Sequence, residues 1–276
     1  MRRILCIYIA VAVSVFVISC EKGNILVSED AETVTMNYCV DVPSARSFAK
    51  GESVTHIWYA IYKDGSLLKD YGEVQFTAGS ASCPVDMIVG NSYEIVFVGQ
   101  TYFTSAGDLE GAYPIDPATA TLRMPALAIA NSDAYDLFYR KVSVVDYQGN
   151  EETSVTLERI VSVINFEASD WNAASVSQIP AESSVRLSDV PASFDLRTGS
   201  VSTQRTDVTF ARAALNGEPA SVASAFCIGA DTEISAELSL YYSDPASTPK
   251  TISIADIPLQ NNRRTTVLGA FVLGML

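Results

Sequence analysis

The side chains able to do acid–base, nucleophilic or metal chemistry are few and scattered in this sequence. Its one histidine, His56, stands in an apolar segment two residues before Trp58. A catalytic histidine works with a proton partner at the rim of a cleft, and a zinc site needs several histidines or cysteines at short spacing. The sequence has neither pattern, so we expect His56 to be structural.

Acidic residues offer the other route to catalysis or metal binding. Candidate carboxylate pairs of the kind glycosidases use are Asp108 with Glu110 and Glu151 with Glu152. Asp108, Glu110 and Asp116 are also candidate calcium ligands, although the alternation of a twelve-residue calcium loop is missing. All stand among turn residues, where solvated charge is usual. With no glycine-rich phosphate loop either, the sequence predicts a protein that is not an enzyme and holds no metal or cofactor.

Aromatic residues are numerous enough to suggest a second kind of site. Trp58, Trp171 and the 13 tyrosines have the chemistry of a sugar-binding platform. Most of them alternate within apolar segments, however, which favours packing in the core and across strands.

Cys20 has the clearest chemical role. Two arginines precede an apolar run over residues 4–18, which is short for a membrane span and has the form of a secretion signal. The run ends in Val17-Ile18-Ser19-Cys20, which resembles the bacterial lipobox, where the signal is cut before a lipid-bearing cysteine. Acyl chains contribute about 0.8 kcal/mol per buried methylene, so several of them anchor a protein durably.

These features predict how the chain begins and where it is held. We expect a lipoprotein signal peptide over residues 1–19, acylation (including palmitate) at Cys20, and a polar tether over residues 20–31. The protein would then be lipid-anchored in the outer membrane, at the cell surface. Cys39, Cys83 and Cys227 would remain; Cys39 and Cys83 would either pair in a disulfide or be inert thiols in strands.

The charge balance excludes one class of partner. The 276 residues carry 32 acidic and 18 basic side chains, a formal net charge of −14. A nucleic-acid binder needs a basic surface, so nucleic acid is not expected as a partner. An acidic surface also repels anionic membranes, which leaves the lipid as the means of membrane attachment.

Hydrophobic residues recur mostly with the period of two that is typical of strands. Val34–Val42 alternates as a half-buried strand, whereas His56–Tyr62 is apolar on both faces and predicts a central strand. Turn residues such as Asp64-Gly65 separate many short segments of this kind. The pattern predicts an all-β protein built of β-sandwiches.

Two stretches depart from this pattern. Residues 107–130 contain several prolines and predict loops, and Asn131-Ser132-Asp133 predicts the cap of a short helix through Arg140. A hairpin over residues 142–167 then follows. We place the domain boundary within it, which gives an N-terminal domain over residues 32–150 and a C-terminal domain over 151–276.

Segments at both ends of the chain carry a resemblance to a known family. Residues 34–51 and 54–65 give a strand, then Arg46, a small residue and Phe48, then a strand ending in Asp-Gly. This resembles the start of the mature fimbrillins of type V fimbriae. Residues 257–269 are similar to that family's last strand, which follows a polar turn. Residues 133–139 and 155–166 resemble its domain junction, where a Val-x-Leu-x-Arg strand opens the second domain.

The resemblance implies a fold and a mode of assembly. Such proteins have two transthyretin-like β-sandwich domains in tandem and reach the outer membrane as lipoproteins. A trypsin-like protease then removes their first strand, and an extended segment of another subunit fills the groove. Carried to this chain, the cut would fall between Arg46 and Ser47, and the removed strand would be Val34–Val42.

One departure from the family concerns the C-terminal end. The chain stops a few residues after Gly269, where family members that polymerise usually continue with an extension that can be donated. This end counts against a stalk subunit and fits a base anchor, a terminal or accessory subunit, or a surface lipoprotein that does not polymerise. From the resemblance as a whole we expect a non-catalytic fimbrillin-like surface lipoprotein, structural or adhesive, with other fimbrial subunits or host-surface ligands as partners. The alternative is a stand-alone lipoprotein that binds glycans or host proteins and does not polymerise.

Overall fold

A computed structural model describes residues 33–42, 54–105, 108–149, 153–244 and 247–274. All of these residues belong to one unit, Glu32–Leu276. Several predicted features lie outside the described residues: the signal peptide, Cys20, the tether, Arg46, Ser47, and the pair Glu151 and Glu152.

The described chain is built almost entirely of β-strands. In chain order they are β1 (Thr33–Asp41), β2 (His56–Lys63), β3 (Ser66–Gln75), β4 (Ser80–Ile88), β5 (Tyr93–Gln100), β6 (Tyr102–Ser105), β7 (Asp108–Gly111), β8 (Ile115–Asp116), β9 (Thr121–Arg123), β10 (Leu127–Ile129), β11 (Leu137–Val144), β12 (Ser154–Thr156), β13 (Glu158–Arg159), β14 (Val161–Ala168), β15 (Glu182–Pro191), β16 (Ser193–Asp195), β17 (Ser200–Val201), β18 (Arg205–Ala214), β19 (Ser221–Ile228), β20 (Thr232–Tyr241), β21 (Lys250–Leu259) and β22 (Arg264–Gly269). The prediction of an all-β protein is confirmed.

Most strands belong to two sets of sheets. In the N-terminal sheet pair, a three-stranded sheet of order β12-β1-β4 accompanies a five-stranded sheet of order β13-β11-β5-β2-β3. In the C-terminal sheet pair, a three-stranded sheet β19-β14-β22 accompanies a five-stranded sheet β10-β18-β15-β20-β21. A small sheet β17-β16-β9-β8 and the hairpin β6-β7 complete the architecture.

The two sheet pairs have the same connectivity. In each, the first strand (β1 or β14) is the middle strand of the three-stranded sheet, between an antiparallel partner (β4 or β19) and a parallel last strand (β12 or β22). The intervening strands form the larger sheet in one order, since β3-β2-β5-β11 corresponds to β18-β15-β20-β21. The chain therefore repeats one topology, which gives two equivalent first strands to compare.

Strand β2 is buried on both faces, as its sequence predicts. Ile57, Tyr59 and Ile61 pack in the core between the two sheets of the N-terminal pair. Trp58, Ala60 and Tyr62 pack in a second core that continues through the small sheet into the C-terminal pair. The five-stranded N-terminal sheet is thus a partition between two cores, which explains why β2 has no polar face.

The predicted helix through Arg140 is wrong beyond its first turn. Ser132 does act as the cap, since its Oγ accepts a hydrogen bond from Ala134 N at 3.3 Å, but the 3₁₀ helix ends at Tyr135. The chain then enters β11, which pairs with β5 over its whole length. The other helices described are also three-residue 3₁₀ turns: Trp171–Ala173 and Val176–Gln178.

The stretch predicted as loops, residues 107–130, contains four short strands. Two of them find their partners far along the chain: Leu122 in β9 pairs with Phe194 in β16, and β10 runs parallel to β18. Strands of two to four residues show too little alternation to be recognised from sequence.

Strand pairing crosses residue 150 in both directions. β9 and β10 precede it and pair with strands of the later part of the chain, whereas β12 and β13 follow it and pair with β1 and β11. The domain limits 32–150 and 151–276 stay a prediction. Nowhere in the described ranges is there a helix long and apolar enough to cross a membrane.

Candidate functional site

Strand β1 has one buried and one exposed face. Tyr38 and Val40 are fully buried in the N-terminal core, and Val34 and Met36 are partly buried against it. Of the alternate residues, the four from Thr33 to Cys39 are exposed and Asp41 is partly exposed. The strand predicted over residues 34–42 is therefore present and oriented as its alternation predicts, with its apolar row pointing inward.

A single full-length ladder holds β1 in the sheet. All nine residues pair with β4, from Thr33 opposite Ile88 to Asp41 opposite Ser80. On its other edge, β12 covers only the last three residues, 39–41. The hydrogen bonds around that short contact include Cys39 N to Thr153 O at 2.7 Å and Leu157 N to Asp41 O at 2.9 Å. Residues 33–38 have no strand partner on that edge among the described residues.

The buried row of β1 packs among apolar side chains, here called the apolar floor, from β4 in the same sheet and β5 in the other sheet of the pair. β4 contributes Ala81, Cys83, Val85 and Met87, all buried, and Phe97 from β5 lies 5.5 Å from Tyr38, ring centre to ring centre. Each large apolar side chain buried there contributes about 1.5–3 kcal/mol. If β1 left, this floor and one backbone edge of β4 would be exposed together, which is the chemistry of a strand-accepting groove.

The N-terminal pair also opens beside β1. A cleft of about 570 Å³ separates β11 from β12 and is lined in part by Val142, Val144 and Val155. β11 pairs with β13 only at Phe138 and Tyr139, so no strand of the described chain covers the outer edge of residues 140–144. One flank of β1 is thus a cleft rather than a continuous wall of strands.

Cys39 and Cys83 are not joined, although they lie in paired strands. Cys83 lies opposite Tyr38, whereas Cys39 lies opposite Ser82, so the two side chains point to opposite faces of the sheet. Of the two alternatives left by the sequence, the structure has the free thiols in strands. Burial, with a smaller contribution from Cys39, raises the pKa of the Cys83 thiol to about 12, so it is protonated and unreactive at neutral pH.

The residues considered for catalysis that the structure describes lie in three strands: β2 (His56), β7 (Asp108 and Glu110) and β8 (Asp116). His56 Nδ1 lies 3.0 Å from Thr55 Oγ1, and its ring packs 4.8 Å from that of Tyr102. Asp116 Oδ1 accepts backbone hydrogen bonds from Ala118 and Thr119, as in a turn. In the part of the chain that the structure describes, no three histidine, cysteine, aspartate or glutamate residues are grouped to hold a metal ion.

A buried ion pair at the junction of the two sheet pairs was not predicted. Arg159 Nε and Nη2 each lie 2.6 Å from an oxygen of Asp136, and both side chains are buried. The Arg159 guanidinium also stacks on Phe138. Asp136 and Arg159 lie in the two segments that resemble the family's domain junction, and this resemblance was the available sequence signal. Because the two residues are 23 positions apart, the sequence alone did not indicate that they are in contact.

Several solved structures resemble this chain, and some of them are fimbrial proteins. They include a fimbrial assembly protein from Parabacteroides distasonis (10% identity, TM-score 0.47, covering 86% of this chain and 92% of that one). Two others, from Porphyromonas gingivalis, are the tip fimbrial protein Mfa3 (9%, TM-score 0.41, 86% and 94%) and the fimbrial anchor protein Mfa2 (12%, TM-score 0.39, 74% and 78%).

Sequence comparison gives a family for the whole described chain. No curated protein matches the sequence. Residues 28–274 match DUF6562, a family of unknown function, and the chain therefore belongs to that family.

Proposed function

We propose that this protein is a non-catalytic, fimbrillin-like surface subunit that joins other fimbrial subunits by strand exchange, in a structural or adhesive role. The observation that carries the proposal is the one-sided attachment of β1, paired throughout with β4 but covered by β12 over three residues only. A strand held in this way leaves by breaking one long ladder, to β4, and a second ladder of only three residues, to β12.

The proposed step before assembly is a cut between Arg46 and Ser47. These residues follow β1, which ends at Asp41, and precede β2, which begins at His56. A cut there would separate β1 covalently from the rest of the fold. Another subunit's extended segment would then pair with β4 and place apolar side chains where Tyr38 and Val40 now lie.

The lipid at Cys20 is the proposed means of attachment to the outer membrane. The apolar signal, the small Ser19 and the polar residues after Cys20 support it. Since the acidic chain gives no electrostatic attraction to an anionic membrane, release of β1 would free the folded remainder from its anchor. Cleavage would therefore convert a lipid-held precursor into a subunit able to assemble.

The test uses a chain beginning at Glu21 and a trypsin-like protease. We expect one early cut after Arg46, located by mass spectrometry, followed by a ladder of detergent-resistant oligomers on electrophoresis. A synthetic peptide of the β1 sequence, residues 33–41, should occupy the vacated groove and suppress the ladder. The same peptide with Lys in place of Tyr38 is the matched control, because a charged side chain cannot enter the apolar floor.

Two variants separate the cut from incidental proteolysis. Arg46→Gln should block both the cut and the ladder, whereas Lys50→Gln, a nearby trypsin site, should leave both unchanged. Cleaved protein that remains monomeric and ignores the β1 peptide would contradict strand exchange.

A further inference from the structure

A cleft of about 350 Å³ lies between the hairpin β6-β7 and strands β2 and β3. Its size is within the range of small-molecule sites, about 300–1,000 Å³. Trp58, at its base, packs in the second core, on the opposite side of the five-stranded sheet from β1. The cleft is therefore separate from the strand-exchange groove.

The base of the cleft holds a buried amide with an unused donor. Gln100 is 1% exposed, and its Oε1 accepts a hydrogen bond from Tyr113 N at 2.8 Å, which fixes the orientation of the amide. Its Nε2 has no acceptor among the described residues. The Nε2 atom is not among the fully buried atoms that lack a partner, so this donor opens to the cleft, where an oxygen atom of a ligand can accept its hydrogen bond.

The cleft depends on a glycine beside this amide. A Cβ at Gly111 would lie only 2.4 Å from Gln100 Nε2. Any larger residue would therefore push against the amide and fill the space in front of it. Glycine at this position keeps the Gln100 donor accessible.

The rim adds acceptors and an aromatic ring. Glu73 and Glu110 are exposed carboxylates on opposite walls. The Tyr102 hydroxyl donates to Glu73 Oε1 at 2.8 Å, and the Tyr102 ring rests on that of His56 at 4.8 Å. These two contacts hold the half-buried Tyr102 ring in place at the edge of the cleft.

We propose that this cleft binds an uncharged sugar ring. Sugar hydroxyls both donate and accept, which suits a site with the Gln100 donor and two carboxylate acceptors, and an aromatic ring packs against the C–H face of a sugar. Two carboxylates would repel an anion. A cation would use the carboxylates but has no acceptor for the Gln100 donor. The inference goes beyond the assembly proposed above and does not depend on it.

The experiment measures sugar binding by uncleaved monomer. Glucose, galactose, mannose and N-acetylglucosamine are titrated into the chain beginning at Glu21 with Trp171→Phe, so that Trp58 is the single tryptophan reporting fluorescence. We expect at least one of the four to saturate with a dissociation constant on the order of 1 mM. Glu110→Gln should weaken binding about fivefold or more, and Gly111→Ala should abolish it.

Controls make each outcome decisive. Glu233→Gln removes a comparably exposed carboxylate in the C-terminal sheet pair and should change nothing. Glu110 is exposed, so Glu110→Gln keeps the test valid if Gly111→Ala does not fold. No saturation by any of the four sugars at about 50 mM, unchanged affinity in Glu110→Gln, or saturation by L-lysine in place of sugars would overturn the proposal. None of these results would bear on cleavage or laddering.

Discussion

β1 and β14 occupy equivalent places in the two sheet pairs and differ in how they are covered. β1 exposes four of the five residues on its outer face, whereas β14 is buried along nearly its whole length. The parallel last strand covers three residues of β1 but six of β14, where β22 pairs with residues 163–168. Beyond β22, Phe271 packs against Phe166 of β14.

The flanks of the two strands differ in the same direction. Next to β1, a cleft separates β11 from β12. The equivalent strands β21 and β22 are bridged, because Thr265 Oγ1 donates to Pro258 O at 2.7 Å. Asp256 adopts a positive φ of 56° where the β20–β21 register is already irregular, and Pro258 lacks an N–H, so β21 is a poor edge for another strand.

The same topology thus holds its first strand firmly in one sheet pair and, in the other, in a way that allows another strand to replace it. The ladder to the antiparallel partner does not explain the difference, since β1 forms nine regular pairs with β4 and β14 forms seven with β19, with a register shift at Phe166/Glu167. What differs is the length of the parallel partner, the closure of the flank and the burial of the outer face. Those three features make β1, and not β14, the strand suited to leave.

The largest expected effect contrasts a core side chain in each first strand. Phe166→Ala should lower the free energy of unfolding by about 3–5 kcal/mol, because the cavity lies in a strand that cannot detach. Tyr38→Ala should cost less, since release of β1 limits the loss, and should leave β1 amides exchanging rapidly while β14 amides stay protected. Urea unfolding with hydrogen exchange measures both. If both variants lose the same free energy of unfolding and the β1 amides of Tyr38→Ala stay protected from exchange, β1 is held as firmly as β14.

A smaller effect is expected in the unmutated strands, reported by buried thiols. Cys83 lies on β4, opposite Tyr38 of β1, and Cys227 lies on β19, opposite Ser162 of β14. Burial raises the pKa of each thiol to about 12, so both react only when the structure opens. In a Cys39→Ser chain beginning at Glu21, a maleimide should modify Cys83 about tenfold faster than Cys227, as for an opening that costs 1.4 kcal/mol less.

Mass spectrometry locates the modified thiol, and a sample in concentrated urea is the control, since both cysteines should then react at the same rate. Modification of Cys227 at or above the rate of Cys83 in native buffer would show that β14 opens as readily as β1.

The smallest effect concerns the C-terminal tail, residues 270–274, which helps to hold the C-terminal sheet pair closed. Asp170 accepts backbone hydrogen bonds from Leu273 at 2.6 Å and Val272 at 3.2 Å. Burial opposes ionisation of Asp170, but these donors outweigh it and lower the pKa of the carboxyl. Its stabilising contribution is therefore full above the unfolded-state pKa of about 3.9 and is lost as pH falls through the lower folded-state value.

Asp170→Asn should cost about 1 kcal/mol at neutral pH, allowing for solvent screening, and this deficit should shrink as pH falls from about 5 to about 2. Thermal unfolding across that range measures it. Glu233→Gln, with no such donors among the described residues, should show no such trend. A deficit that stays constant with pH would mean that the Asp170 charge does not hold the tail.

The sequence predicted local structure well where a segment is long and regular. The alternation in β1 and the doubly apolar β2 follow directly from how side chains project from a strand. It failed at the helix after Ser132, where the cap is correct but pairing of β11 with β5 is stronger than local helix propensity. It also missed β9 and β10, whose partners are distant in sequence.

By itself, the sequence determined the all-β class, the inward row of Tyr38 and Val40, and the absence of a histidine- or cysteine-based catalytic pattern. Those depend on residue type and on spacing of one or two positions. Only the tertiary structure decided that β12 covers so little of β1, that Asp136 meets Arg159, and that Gln100 opens into a cleft beside Gly111. Such contacts join residues far apart along the chain, and register and packing, which set them, are properties of the folded whole.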